Sequence, residues 1–345
     1  MNKIHPEFQL NGKKYAAQQL SQWAKDKLNS NLEFETDCAS FLLDWLSDSD
    51  KIQVKTSGTT GTSKNIEIAK KAMVNSAVAT GDFFELKERT SALCCLPVKY
   101  IAGKMMLVRA MILGWHIDVV EPSSNPLANT VNCYDFVAMV PLQVENSINN
   151  LHKVKILLVG GAQVNFGLAN ELSKIQCNAY ESYSMTETVT HVALKKIGEK
   201  TFKVLPNVSI AIDERNCLVI DAPLLNPEKL VTNDIVELIS ESEFIWKGRA
   251  DNVINSGGVK LFPEQIEEKL LKKITKRFFI AGIPDDKLGE RVILFIEGKE
   301  YEIAPSVFKE LDKYEKPKQI SFVHQFLETE TGKIKRKEIV RQFLS

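Results

Sequence analysis

The sequence predicts an α/β protein: a large N-terminal domain with mainly parallel sheets and a small β subdomain, followed by a smaller α+β C-terminal domain. Three observations lead there. From about residue 90 to 184, strand-like and helix-like segments alternate, the pattern of a parallel sheet with helices on its faces. From Val208 to Ile245 the pattern turns to short strands and turns. The chain has 345 residues, 44% hydrophobic and 26% charged, which exceeds one ordinary core and suggests two domains.

Two amphipathic stretches, Tyr15 to Leu28 and Cys38 to Leu46, read as helices. Lys51 to Lys55 and Ile66 to Ala69 alternate like strands. In the alternating region the strand candidates are Ala92–Leu96, Ile117–Val120, Phe136–Val140, Lys155–Val159 and Asn178–Tyr183. Helical periodicity at Gly103–Leu113 and Phe166–Lys174 falls between some of them. Asp213-Glu214-Arg215-Asn216 is a turn before a strand at Cys217–Asp221, within the β subdomain. Further on, Ser256-Gly257-Gly258 reads as a turn, and Pro263 opens a helix Glu264–Lys273 whose acids Glu264, Glu267 and Glu268 suit its N-terminus. Phe278–Ile283, Arg291–Ile296, a helix near Ser306–Tyr314 and a strand at Ile320–Val323 complete the α+β unit, which ends in a basic tail.

Charge and cysteine usage narrow the function classes. With 44 basic and 44 acidic residues the formal charge is zero, so nothing points to nucleic acid or to an anionic membrane surface. The six cysteines, Cys38, Cys94, Cys95, Cys133, Cys177 and Cys217, lack metal or disulfide spacing and sit mostly in apolar runs, as buried free thiols do. The N-terminus shows no apolar signal core, and the apolar stretch around Met105 to Ile117 is broken by Lys104 at its start and by Arg109 within it. The expectation is a cytoplasmic enzyme in a reducing compartment.

The densest chemical signal is Thr56-Ser57-Gly58-Thr59-Thr60-Gly61-Thr62-Ser63-Lys64. Its glycines let backbone N–H groups turn inward, its hydroxyls add donors and Lys64 supplies a charge, which together suit phosphate. It is not a Walker loop, because Gly58 and Gly61 are too close and Lys64 comes too late. The strand-like flanks place it between two strands.

This loop resembles the phosphate loop of the adenylate-forming superfamily, which includes acyl- and aryl-CoA synthetases, luciferases and peptide-synthetase adenylation domains. Ser63 stands where that family usually has proline. Four more stretches match in the family's order: Ser182-Tyr183-Ser184-Met185-Thr186-Glu187, Thr232-Asn233-Asp234, Lys247-Gly248-Arg249-Ala250-Asp251 and Thr331-Gly332-Lys333-Ile334-Lys335-Arg336. The resemblance runs from about residue 52 to the end. Ser184 and Asn233 replace family glycines, and asparagine is tolerable at such a position because it also visits left-handed backbone.

The resemblance implies an ATP-dependent ligase acting through an acyl adenylate. A carboxylate attacks the α-phosphate, pyrophosphate leaves, and a thiol then displaces AMP, so no protein nucleophile is required. Thr56, Ser57, Gly58, Thr59, Thr60, Gly61 and Lys64 would hold the phosphates. Gly161 and Ala162 would line the adenine pocket, and Tyr183 would stack on the base. Thr186 would bond the α-phosphate, and Glu187 would hold Mg²⁺, the partner that makes a carboxylate beside phosphates sensible. Asp234 would accept from the ribose hydroxyls, with Arg249 at the same ribose or a phosphate. Lys333 would bridge the carboxylate and the α-phosphate as a point charge. Asp251 would be the hinge between a domain of residues 1–250 and a mobile small domain of residues 251–345. From Asn252 onward there are 18 basic and 15 acidic residues, too slight a bias to mark a coenzyme A phosphate site.

The segment Leu96-Pro97-Val98-Lys99-Tyr100-Ile101-Ala102-Gly103, with Arg109 behind it, looks most like the o-succinylbenzoate–CoA ligases of menaquinone biosynthesis. There Tyr100 would line the acid pocket and Arg109 would pair the second carboxylate, which must be neutralised when the site closes. Two alternatives remain: another acyl- or aryl-CoA ligase, or a stand-alone adenylation domain loading a carrier protein. Only 55 residues precede Thr56, fewer than in most of the family, so a shortened acid-pocket wall is expected. Of the five histidines, only His191 falls near the expected site.

Overall fold

The structure is a computed structural model and describes residues 3–55, 65–328 and 334–345. Its elements in order are β1 (Gln9–Leu10), β2 (Lys13–Lys14), α1 (Ala17–Lys27), α2 (Glu33–Leu46), β3 (Lys51–Lys55), β4 (Asn65–Ala69), α3 (Lys70–Phe84), β5 (Ser91–Cys94), α4 (Ile101–Leu113), β6 (His116–Val119), β7 (Tyr134–Met139), α5 (Pro141–Asn146), β8 (Val154–Val159), α6 (Phe166–Leu172), β9 (Asn178–Ser184) and β10 (His191–Lys196). There follow β11 (Phe202–Val204), β12 (Ser209–Ile212), β13 (Cys217–Asp221), β14 (Leu230–Ser240), β15 (Glu243–Arg249), β16 (Ile254–Ser256), β17 (Val259–Leu261), α7 (Pro263–Leu270), β18 (Phe278–Asp285), β19 (Gly289–Glu297), β20 (Gln319–Val323) and α8 (Arg336–Leu344).

Strands β9, β8, β7, β5, β6 and β1 lie side by side and parallel. Counted from β5, the order is 2-1-3-4-5, which puts a topological switch point between β5 and β7, where ligands bind beyond the carboxyl ends. Successive residues alternate between faces, as a pleated strand requires. Ala92, Cys94, Phe136, Ala138, Ile156 and Leu158 pack in one core with α2, α3 and α4. Leu93, Cys95, Val137, Met139, Leu157 and Val159 pack in another, with side chains of α5 and α6.

Beyond β9 the sheet becomes antiparallel through β10, β11, β15, β14, β13 and β12. The expected β subdomain is therefore present and hydrogen-bonded onto the large sheet through β11 and β15. Its core is centred on Phe202 and Phe244, stacked with centroids 5.4 Å apart. After Arg249 a separate sheet begins, ordered β17-β16-β19-β18 with β20 on β19, and it carries its own two cores. The Gly257-Gly258 turn joins β16 to β17 with φ of +59° and +81°, the left-handed pair that a two-residue hairpin needs. Strands β3 and β4 pair antiparallel, so the phosphate-loop candidate joins two strands, as its flanks suggested.

Three local expectations are corrected. Residues 306–314 do not form an α-helix; one 3-10 turn, Pro305–Phe308, is followed by turns in which Glu315 accepts from the Asp312 N–H. Only Leu311 is buried there, and a helix this short needs a packed face to persist. Asn233 does not use left-handed backbone, since it lies inside β14 with negative φ. The helix from Pro263 stops at Leu270, short of Lys273. Among the cysteines, Cys133 is exposed and Cys177 half-buried, while the other four are buried; all six are free.

Candidate active site

The loops at the carboxyl ends of β5, β8 and β9 form one edge. After β5 the chain passes Leu96-Pro97 and enters α4 so closely that a Cβ on Gly103 would lie 2.4 Å from the Pro97 carbonyl oxygen. Tyr100 precedes α4 and is 40% exposed, free to face a ligand. After β8, a Cβ on Gly160 would meet Ser182 Oγ at 2.7 Å, and Gly161 has φ +84°, a left-handed conformation that glycine adopts without strain. Gly161 and Ala162 are both exposed at this edge.

Beside this edge lies a polar cluster built by β9, β14 and β15. The Tyr183 hydroxyl donates to Asp234 Oδ2 at 2.7 Å, and Trp246 Nε1 donates to Oδ1 at 3.1 Å. Pairing of β14 with β15 sets Asp234 opposite Arg249, whose Nη1 is 3.6 Å from Oδ1 while Nη2 reaches Asp251 at 3.3 Å. Thr232 Oγ1 accepts from the Asp234 N–H. Each carboxylate oxygen of Asp234 thus has one short hydrogen bond and retains a second acceptor site, enough for a vicinal diol. Tyr183 packs edge-to-face against Phe202 and Phe244, and burial beside Asp234 pushes its phenol pKa upward.

Thr186 and Glu187 sit in a 3-10 turn directly after β9. The Asn226 side chain donates to the Glu187 carbonyl, and the Glu187 carboxylate is exposed with no partner among the described residues. Val189 next to it has φ +66° and ψ −59°, with the Thr190 N–H donating to the Thr188 carbonyl at 2.7 Å, a γ-turn that strains a β-branched residue. Burial of Val189 and the hydrogen bond that the Thr188 hydroxyl donates to the Thr190 carbonyl at 2.7 Å, with the Met185 carbonyl 3.0 Å from the same oxygen, hold it there.

Arg109 lies on the third turn of α4 and is 2% exposed. Its Nε donates to Thr80 Oγ1 at 3.2 Å and its Nη1 to Met106 Sδ at 3.8 Å, while Nη2 has no partner among the described residues. It forms no ion pair within them. Burial pushes its pKa down to about 10, still well above neutrality. A buried cation with an unused donor is costly unless an anion joins it.

The phosphate loop, Thr56 to Lys64, and Lys333 lie outside the described residues. What frames them is described: β3 and β4 on either side of the loop, and an antiparallel bridge from Glu328 to Ile334 around the lysine. Arg336, just beyond, makes a two-point pair with Glu267 at 2.8 Å each, and Glu264 next to it accepts from Asn252 at 2.6 Å. Asp251 is in a 3-10 turn, Ala250–Asn252, between the two sheets. Gly248 has φ +142° and a Cβ there would lie within 2.4 Å of Glu264 Oε2, so helix α7 sits directly on the end of β15.

Thr80, Trp246 and Val189 were not singled out from the sequence. Trp246 had a signal, since it stands one residue before the Lys247-Gly248-Arg249 motif on a strand paired to Asp234. Thr80 had none, because helix α3 was itself not recognised. A cavity of about 910 Å³ lined by Tyr180, Lys196, Lys200 and Lys203 opens toward the amino end of β9 and contains none of the expected site residues.

The model of the AMP-binding enzyme family matches residues 55–228, half of the chain. The 2-succinylbenzoate–CoA ligase of Lactococcus lactis is 26% identical over 384 residues, spanning 98% of this chain and 84% of that protein. The crystal structure of an acyl-CoA synthetase (AMP-forming)/AMP-acid ligase II-like protein from Dyadobacter fermentans is 38% identical, covers 94% of this chain and 98% of its own, and superposes with a TM-score of 0.64. The o-succinylbenzoate CoA synthetase of Bacillus subtilis shares the fold, with TM-scores of 0.74 in its complexes with the acyl adenylate and with ATP and magnesium. At 18% identity these cover 94% and 96% of this chain and 81% and 83% of theirs. On the family match and the 38% identity, the chain belongs to the AMP-binding enzyme family.

Proposed function

We propose that this chain is an AMP-forming acid–CoA ligase that activates o-succinylbenzoate as its acyl adenylate and transfers the acyl group to coenzyme A. Membership in the family and relatives named as acyl-CoA synthetase and 2-succinylbenzoate–CoA ligase support the reaction type. The observation that carries the acid is Arg109, a buried guanidinium with a donor left over, as a dicarboxylate's second carboxylate requires.

In this reading Tyr183 stacks on adenine while its hydroxyl holds Asp234, and Gly161 and Ala162 line the base. Asp234 accepts from the ribose hydroxyls, with Arg249 beside it. Thr186 donates to the α-phosphate, and residues 56–64 hold the remaining phosphates. The uncommitted carboxylate of Glu187 fits a magnesium ion that takes its other ligands from phosphate and water; among the described residues no cluster of three ligating side chains offers an alternative. Magnesium there would neutralise phosphate charge. Lys333 supplies the transition-state charge, and residues 251–345 act as a small domain that turns about Asp251 between the two half-reactions.

Arg109→Ala tests the acid. For o-succinylbenzoate the loss in kcat/KM should be about 2–5 kcal/mol, the cost of leaving a buried charge unpaired. A mono-acid analogue without the second carboxylate should be a poor substrate and nearly indifferent to the change. Equal losses for both acids would make Arg109 structural, and a wild-type preference for the mono-acid would favour a general acyl- or aryl-CoA ligase.

A further inference from the structure

Behind Arg109 is a chain of buried polar groups that no part of the reaction just described uses. Thr80 on α3 is fully buried and His191, the first residue of β10, is 3% exposed. Thr80 Oγ1 has three neighbours: the Ser76 carbonyl at 2.9 Å, Arg109 Nε at 3.2 Å and His191 Nε2 at 3.3 Å. A hydroxyl has one proton and two acceptor sites. The carbonyl can only accept and the guanidinium can only donate, so the Thr80 proton goes to Ser76 and one lone pair receives Arg109. The remaining lone pair then has to be met by a donor, which makes the His191 imidazole the Nε2–H tautomer.

The position is well braced. Ser76 Oγ lies 2.8 Å from Thr190 Oγ1, which ties α3 to the residue before His191. His191 pairs with Ser184 across β10 and β9, so it is one strand from the Tyr183–Glu187 segment. A cavity of about 20 Å³ beside it, lined also by Ser76, Ala79 and Leu205, has room for about one water and for no larger group. Burial first, and the Arg109 charge second, hold the imidazole well below its usual pKa and hence neutral. A protonated ring here would place a second cation against an unpaired one.

We propose that Thr80 and His191 are positioning residues for acid selection: through the two acceptor sites of one hydroxyl they hold the Arg109 guanidinium by its Nε edge, leaving Nη2 for the substrate's second carboxylate. This rests on the reading of Arg109 as the group that receives that carboxylate. Without the anchor the guanidinium is free to swing toward any other acceptor. The site would then lose its preference for a diacid without losing its ability to form adenylates.

The test is the ratio of kcat/KM for o-succinylbenzoate to that for the mono-acid analogue, measured in Thr80→Val, His191→Phe and Arg109→Ala. The expected result is a fall of about tenfold in the ratio for Thr80→Val and His191→Phe, with KM for ATP unchanged, and a larger fall for Arg109→Ala. Thr80→Ser, which keeps the hydroxyl, and His191→Gln, which keeps an N–H donor, should restore most of the ratio. A collapse of the ratio in Arg109→Ala alone would overturn the positioning role and leave the acid assignment standing. An unchanged ratio in Arg109→Ala would overturn the acid assignment and the positioning role with it. Nitrogen-15 NMR of the His191 ring in the wild-type chain gives a reading independent of variant folding: the Nε2–H tautomer is expected, and an Nδ1–H or doubly protonated ring would contradict the proposal.

Discussion

Single side chains decide what the site at the sheet edge can hold. Tyr183 is the instructive case, because the sequence motif implied a ring stacked on a base and the structure adds a 2.7 Å hydrogen bond from its hydroxyl to Asp234. Replacing it with phenylalanine keeps the ring and removes only that bond. KM for ATP should then rise about 3- to 10-fold with kcat little changed, the scale of one hydrogen bond, and steady-state kinetics at varied ATP would show it. Arg336 offers a stability counterpart. It pairs at two points with Glu267, whose carboxyl burial pushes up to about 7 despite the guanidinium. Arg336→Ala should destabilise the C-terminal region by about 3–5 kcal/mol in denaturant unfolding at pH 8, because it leaves that carboxylate buried and unpaired. The guanidinium holds that carboxyl down, so its removal moves the pKa further up, and lowering the pH from 8 toward 7 should recover part of the loss as Glu267 takes up a proton in the variant. Neither the Tyr183–Asp234 bond nor the Glu267 pair could be read from the chain, since both join residues far apart in sequence.

Elements were legible where one face is apolar and the other polar, or where strands run as short apolar stretches between turns. Strands β5 to β9 and helix α4 lie within a few residues of their expected places for that reason. Helix α3 was invisible because it is buried on most sides: Met73, Ala77 and Thr80 are fully covered, and its Gly81 and β-branched residues depress helix propensity. Helix α8 was hidden in a tail that reads as solvated charge, although Ile339 is buried against Phe279 and Phe295. The segment 306–314 erred the other way, its apolar spacing mimicking a helix that packing does not support. The short 3-10 turn at Ala250–Asn252 was legible only through the flanking Lys247-Gly248-Arg249 motif. If it is the hinge, Asp251→Pro should restrict φ there, so that acyl adenylate accumulates while thioester formation slows at least tenfold in single-turnover measurements. Equal slowing of both steps, or of neither, would remove Asp251 from that role.

At the scale of the whole molecule, two sheets with separate cores meet at the Arg249–Ile254 connection, and α7 rests on the last strand of the first sheet across Gly248. Lys272 also lies over the Phe166 ring at 4.1 Å, a contact light enough to be made and broken. Such an arrangement suits a small domain that presents Lys333 for one half-reaction and withdraws it for the other. Lys333→Ala should therefore slow adenylate formation about 10³-fold, some 4 kcal/mol, while thioester formation from supplied acyl adenylate largely survives. The most direct measurement of the central claim is exchange of labelled pyrophosphate into ATP with o-succinylbenzoate as the acid, followed by addition of coenzyme A. The account predicts exchange that depends on the acid and on magnesium, and release of AMP matched by thioester once the thiol is added. Magnesium-dependent exchange absent with every carboxylic acid, or AMP released without thioester, would contradict it.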